Sequence, residues 1–447
     1  MPKSQYKRRK VEKNHSKIYI AIIIVLALLI GAGLGIFSRQ LSFFTDNSSV
    51  FSSDVASQEE PKQIVEVSSA TIVSTGDLLM HMPIITGAST SSGNYDFSSI
   101  FTKIEPILSN ADYAVANLET TFAGTSKKYS GYPQFNCPDA LADAVKNAGF
   151  DMLLTANNHS YDTGLSGFKR TQEIVSKSGL DHIGTRLDIN NTPYLVKDIN
   201  GIKVGMICYT YETKTEREGR KALNGILLDS SANDLINSFD PNDLDSFYND
   251  ISDKIEDMRV KGAECIVTYM HWGNEYQLTA NSTQNTMAQK LCDFGVDVII
   301  GGHPHVVQNV DMLTSTSNPN QKTVCIYSLG NAVSNQRTSR SALKTGHTED
   351  GMLFSFTLKK YSDGTVNVHS ADIIPTWVNL HTKNGKAVYE IVPLDESGCM
   401  GLNSTANANA VKSYNRTMKI VGSGLDKIKS SLAIENSDSS TLSSNTD

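Results

Sequence analysis

An alternation is what most constrains the fold of this chain. Between residues 70 and 303, short apolar runs of β character take turns with segments of helical period. "ATIVSTGD", "YAVANLE", "DMLLTANNH", "IKVGMICYT", "ECIVTYMHWG" and "VDVIIGGH" read as strands. "PDALADAVKNAG", "SGFKRTQEIVSKSG", "DSFYNDISDKIEDMRVKG" and "STQNTMAQKLCDFG" read as helices, and another is expected near Phe101–Asn110. Such alternation predicts an α/β domain with helices outside buried sheets. After residue 320, "TVCIYSLGN", "GMLFSFTLKK" and "TVNVHSADIIPTWV" come with little helix between them. They predict a second, more antiparallel sheet.

In an open α/β sheet, ligands bind at the carboxyl ends of the strands. Here five apolar runs end in residues that bind cations. "TIVSTGD" ends at Asp77, with His81 four residues on. "YAVANLE" ends at Asn117 and Glu119. "DMLLTANNH" ends at Asn157, Asn158 and His159, with Asp162 beyond as an orienting partner for His159. "CIVTYMH" ends at His271, with Glu275 beyond. "VDVIIGGHPH" ends at His303 and His305. Singly, several have bland readings. Asp77 after Gly76 could be a turn or cap, Glu119 an exposed strand end, and His271 a packed core histidine. Together they fit convergence on one cation site. His182, His347, His369 and His381 are isolated and read as structural.

The His303-Pro304-His305 spacing carries the most weight. A residue before proline is pushed from the helical region toward extended conformations, and residues i and i+2 of an extended chain face one side. Both imidazoles are therefore expected to face one cation, with Gly301 and Gly302 leaving room for close approach. Imidazoles combined with carboxylates and a carboxamide suit Mn, Zn or Fe better than Mg or Ca.

Residues 1–17 carry seven Lys or Arg against one acid, Glu12, so the body is more acidic than the net charge of −7 for the whole chain. An acidic body argues against nucleic acid as a partner. The basic head runs into 20 uncharged residues, Ile18 to Phe37. That length spans a bilayer as a helix, and the basic flank places its start in the cytoplasm and the body outside. A cleaved signal peptide is the rival reading. It would have a shorter apolar core and a small-residue cleavage site, and "SRQLSFFTDNSS" provides neither that site nor a lipobox cysteine. None of the six cysteines forms a CxxC pair. Cys208, Cys265 and Cys325 lie in apolar runs, where cysteine packs as a small hydrophobe. An outside location permits disulfides, but the sequence assigns none.

The ordered set "STGDLLMH", "NLET", "ANNHSYDTG", "HWGNEY", "GGHPHVVQ" and "YSLGN" resembles the bacterial poly-γ-glutamate capsule synthesis family (CapA or PGA_cap type), itself similar to calcineurin-like metallophosphoesterases. The resemblance covers roughly residues 70–335. It implies a four-layer α/β/β/α sandwich with a metal site of one or two divalent ions, preceded here by one N-terminal transmembrane helix. By motif, Asp77, Glu119, Asn158, His271, His303 and His305 would be metal ligands, with Glu119 as the bridging acid. His159 and Asp162 would be catalytic, and His81, Asn117 and Glu275 are further candidates. The chain departs from the phosphoesterases in two places. Leu79 stands where their first motif has histidine, and Glu119 where they have Asp. The implied function is a membrane-anchored factor in making an anionic surface polymer. Its partners would be that polymer or its precursor and other membrane proteins of polymer synthesis. The alternative is an envelope metallophosphoesterase. The expected organisation is a basic head over 1–17, an anchor over 18–37 and a polar linker over 38–66. The capsule-synthesis domain follows over 67–385, then a C-terminal extension over 386–430 and a disordered Ser-rich tail over 431–447.

Overall fold

The computed structural model describes residues 63–213, 220–339 and 344–441. The anchor expected over 18–37 lies outside them, and no helix among the described residues is long and apolar enough to cross a membrane.

The fold is mixed α/β, built on two large sheets. In the first, β1 (Glu66–Leu78), β2 (Tyr113–Leu118), β3 (Met152–Leu154) and β4 (Asp181–Ile183) run parallel. On the other side of β1 lie three long antiparallel strands, β15 (Asp350–Tyr361), β16 (Val366–Lys383) and β17 (Lys386–Pro393). The short β14 (Asn331–Val333) pairs with the end of β1. In the second sheet, β6 (Ile202–Tyr211), β10 (Cys265–His271), β11 (Val298–Gly302) and β13 (Lys322–Ile326) run parallel. The antiparallel strands β5 (Leu195–Ile199) and β12 (Val310–Thr314) form its edges, and β9 (Ser238–Phe239) pairs with β6. A small hairpin, β7 (Ala222–Leu223) and β8 (Ile226–Leu227), stands apart. The late antiparallel strands therefore extend the first sheet and do not form a sheet of their own.

Strand periodicity explains the packing. Alternate residues point to opposite faces, and strands buried on both faces read as unbroken apolar runs. Ile72, Val115 and Met152 of the first sheet meet Met206, Val267 and Ile300 of the second in a shared core. Their neighbours Val73, Ala114 and Leu153 face outward, against Ile85 of α1 (Met82–Ala88), Leu108 of α2 (Glu105–Leu108) and Val145 of α3 (Ala140–Asn147). The helix α4 (Gly164–Lys177) adds Val175 to the same core. On the far side, Ile207, Ile266 and Ile299 pack against Ile251 of α5 (Leu244–Val260) and Leu291 of α6 (Ser282–Asp293). Each large side chain so buried contributes about 1.5–3 kcal/mol.

The last helix, α7 (Ser404–Thr441), packs along β16 and β12. It runs on through residues 431–441, the stretch read from sequence as tail. Leu432 is buried there, and Lys322 pairs with Glu435 at 2.7 Å. All six cysteines are free, and five are buried.

Candidate metal centre

The carboxyl ends of the parallel strands meet across the gap between the sheets. Asp77, Asn117 and Asn331 are level in register on the first sheet, as are His271 and Gly302 on the second. Glycines permit the close approach. A Cβ on Gly76 would stand 1.8 Å from the Gly330 carbonyl oxygen, and one on Gly301 would stand 2.0 Å from that of Tyr327. A Cβ on Gly302 would press to 3.1 Å from Asp77 Oδ1.

The six expected ligands come together, all buried. Glu119, His271 and His303 form one group of three, and Asp77, Glu119 and His305 form another. Within each, the ligand atoms lie within 4.8 Å of one another, and Glu119 belongs to both. Asn158 joins the first group, its Oδ1 2.7 Å from His271 Nε2. The basic groups that lie against these acids are imidazoles. Glu119 Oε1 is 3.6 Å from His271 Nε2 and 3.8 Å from His305 Nε2, and Asp77 Oδ2 is 3.3 Å from His305 Nδ1. Among the described residues, both oxygens of Glu119, Asp77 Oδ2 and His303 Nδ1 have no hydrogen-bond partner. Buried polar atoms are normally satisfied, so this set is built for something that neutralises carboxylates and accepts lone pairs.

The electrostatics agree. Burial first, then the charge of Asp77, pushes the Glu119 carboxyl well above its ordinary range. Burial, reinforced by neighbouring imidazoles, holds His271 and His303 well below the ordinary histidine value. Neutral imidazoles are the state that binds a divalent ion, and such an ion would displace the proton that burial favours on Glu119.

The expected extended geometry at the histidine pair is corrected by the backbone. His303 has φ +95° and His305 φ +56°. Non-glycine residues rarely adopt such angles, and they cluster at functional sites. Pro304 fixes only its own φ and restrains the residue before it, whereas the local bonding favours a tight loop. The Pro304 carbonyl accepts the Tyr276 N–H at 2.8 Å, and the Gly302 carbonyl accepts that of Trp272 at 3.2 Å. Both rings still face the acids, by a left-handed turn and not by an extended strand.

The remaining candidates separate by role. His159 Nδ1 lies 2.8 Å from Asp162 Oδ2, which also accepts the Phe135 N–H at 2.7 Å. The Phe135 ring meets His159 edge to face at 4.7 Å. Asn117 is not in either ligand group; its Nδ2 donates to Asp77 Oδ1 at 2.7 Å and orients that carboxylate. His81 is also outside both groups. Its Nδ1 lies 3.2 Å from the Leu79 carbonyl oxygen and 3.3 Å from the Asn335 nitrogen, and burial lowers its pKa to about 4. Glu275 is exposed at the rim, close enough to act on Glu119 and Tyr211.

Of the supporting residues, Asn157 was named at a strand end, and Asn331 and Tyr211 were not singled out from sequence. Asn331 places Oδ1 3.1 Å from His305 Nδ1 and donates through Nδ2 to the His305 carbonyl at 3.2 Å. Asn157 donates to Asn117 Oδ1 at 3.1 Å. Tyr211 lies parallel to His271, ring centres 6.5 Å apart, and packs on His303 at 4.7 Å. Each ends or follows a strand, so the same rule finds them once aromatics and second amides are counted.

Facing mixed sheets whose parallel strands end in buried acids, amides and imidazoles define a protein of the α/β class with a candidate metal centre. Residues 71–336 match the family described as bacterial capsule synthesis protein PGA_cap. The chain belongs to that family. It is similar to the "PGA biosynthesis protein CapA" of Bacillus subtilis (strain 168), with 28% identity over 62% of this chain and 65% of the relative. It is also similar to the "Capsule biosynthesis protein CapA" of Bacillus anthracis, with 30% identity over 63% and 64% respectively. The chain thus spans less than two thirds of the length of these relatives. An uncharacterized protein, y4sH of Sinorhizobium fredii (strain NBRC 101917 / NGR234), shares 24% identity over 58% of this chain.

Proposed function

We propose that this chain is a membrane-anchored, extracytoplasmic factor in the biosynthesis of a capsule or poly-γ-glutamate-type surface polymer, with a divalent metal site in its body. One observation carries the metal reading: two three-ligand groups share the buried, unpartnered carboxylate of Glu119. That is the arrangement expected of a bridging acid between two ions, in a four-layer sandwich of the metallophosphoesterase type. Asp77, Glu119, Asn158, His271, His303 and His305 would hold one or two ions of Mn, Zn or Fe. Such an ion, when bound, supplies Lewis acidity and an acidified water. Family membership and the relatives' names support the polymer role. The basic head and the uncharged stretch at 18–37 support the anchor and an outside-facing body. On this reading the partners are the anionic polymer or its precursor and other membrane proteins of polymer synthesis.

The test is complementation. An encapsulated host lacking its own protein of this family should regain surface poly-γ-glutamate with the wild-type gene and not with His303→Ala/His305→Ala. Equal restoration by the variant would remove the metal site from the function. A second reading, a phosphoesterase acting on an envelope phosphoester, is favoured by the His159–Asp162 pair. Asp162 fixes the Nδ1 edge of His159, leaving Nε2 to hand a proton to a leaving oxygen. Metal-dependent turnover of a phosphodiester panel, lost in His159→Ala, would support it. No turnover by the metal-loaded chain would reject it.

A further inference from the structure

A cavity of about 390 Å³ opens beside the metal centre and shares His303 and Tyr211 with it. That size falls within the range of small-molecule sites. Its apolar lining comes from Tyr211 and Pro241, backed by the buried side chains of Phe239, Trp272 and Met287. Its polar lining includes Asn274, Glu275 and Thr283. Trp272 donates its indole N–H to the Tyr327 carbonyl at 2.9 Å, and Asn281 and Gln284 are engaged in capping α6. The hydrogen-bonding groups left to a ligand therefore come chiefly from the Asn274–Glu275 loop and Thr283. Among the described residues, no Lys or Arg lines the cavity.

This chemistry selects a class of ligand. A γ-glutamyl chain carries a free carboxylate on every residue and would meet Glu275 with no lining cation to balance it. A purely apolar group would leave the polar edge unpaired, which costs binding energy. A sugar ring suits this mixed lining, since its C–H face packs on an aromatic ring such as Tyr211 and its hydroxyls bond amides, hydroxyls and a carboxylate. We infer that the metal centre takes a sugar phosphate, with the phosphoryl group at the ligand cluster and the glycosyl ring in this cavity. The inference rests on the second reading above, a phosphoester held at the metal site, and names its substrate class.

The test uses the full-length chain loaded with Mn²⁺ and three probes that resist hydrolysis: a C-glucosyl phosphonate, methylphosphonate and tri-γ-glutamate. Metal content is measured first, by elemental analysis. Calorimetry should show the glucosyl phosphonate binding about tenfold tighter than methylphosphonate, the yield of one or two added hydrogen bonds. Thr283→Trp, which fills the cavity, should abolish that difference while leaving metal content and methylphosphonate affinity unchanged. Asn274→Ala, on an exposed loop, should shrink it about threefold. Equal affinity for the two phosphonates, a preference that survives both substitutions, or tighter binding of tri-γ-glutamate would overturn the inference and leave the metal site standing. A wild-type chain that binds no divalent ion would overturn the metal reading, and this inference with it.

Discussion

At the scale of single residues, the site holds its ligands by strain and by second partners. His303 and His305 sit at positive φ, a conformation costing about 1–3 kcal/mol each. Asn331 holds His305 through both its ring and its carbonyl. Asn331→Ala should therefore weaken metal affinity about 10–100-fold without removing a ligand, measured by competition with a chelator. An unchanged affinity would mean the His305 ring is fixed by packing alone. Outside the site, burial lowers the pKa of His182 from 6.5. The unfolded chain then takes up that proton before the folded one does. The stability due to neutral His182 is complete above pH 6.5 and is lost as pH falls toward the depressed value. In urea titrations, His182→Asn should flatten this acid limb relative to wild type. A limb of unchanged slope would assign it to other groups. The ligand types were legible because they end apolar strands. The backbone at His303 and His305 was not, because proline restricts only two dihedral regions and the Tyr276 and Trp272 bonds come from a distant loop.

At the scale of elements, α7 shows what a sequence hides. It carries Gly422 and Gly424 among Ser, Asn and Lys, so its apolar period is faint. A Cβ on Gly424 would stand 1.9 Å from the Val310 carbonyl oxygen, whereas one on Gly422 meets nothing within 4 Å. The helix needs glycine at one position to lie against β12 and merely tolerates it at the other. Gly422→Ala should stabilise the fold by about 0.5–1 kcal/mol. Gly424→Ala should destabilise it by about 1–3 kcal/mol despite the same gain in propensity. Urea midpoints of the two variants moving the same way would contradict this packing. The same helix is anchored by Arg416, which donates to Asp350 Oδ1 at 2.6 Å and Oδ2 at 2.7 Å. Asp350 is buried, so Arg416→Ala strands a carboxylate and should cost about 3 kcal/mol. Breaking the exposed Lys429–Asp372 pair should cost less than about 1 kcal/mol. The anchor reaches the site, because the adjoining turn supplies the Thr348 carbonyl that accepts from Asn331 at 3.1 Å.

At the scale of the whole molecule, the two sheets contribute separate halves of one centre. Asp77, Glu119 and Asn158 come from the first, and His271, His303 and His305 from the second. The parallel strands and their ends were legible from apolar runs. The joining of β14 to β17 onto the first sheet was not, since strand order across a sheet depends on long-range pairing that local pattern does not encode. A cation bound at the centre would tie the sheets together. The direct measurement is the divalent-metal content of the full-length chain by elemental analysis, wild type beside His303→Ala/His305→Ala. One or two ions of Mn, Zn or Fe per wild-type chain, and loss of that metal in the double variant, are expected. A wild-type chain without metal, or equal content in both, would contradict the metal centre.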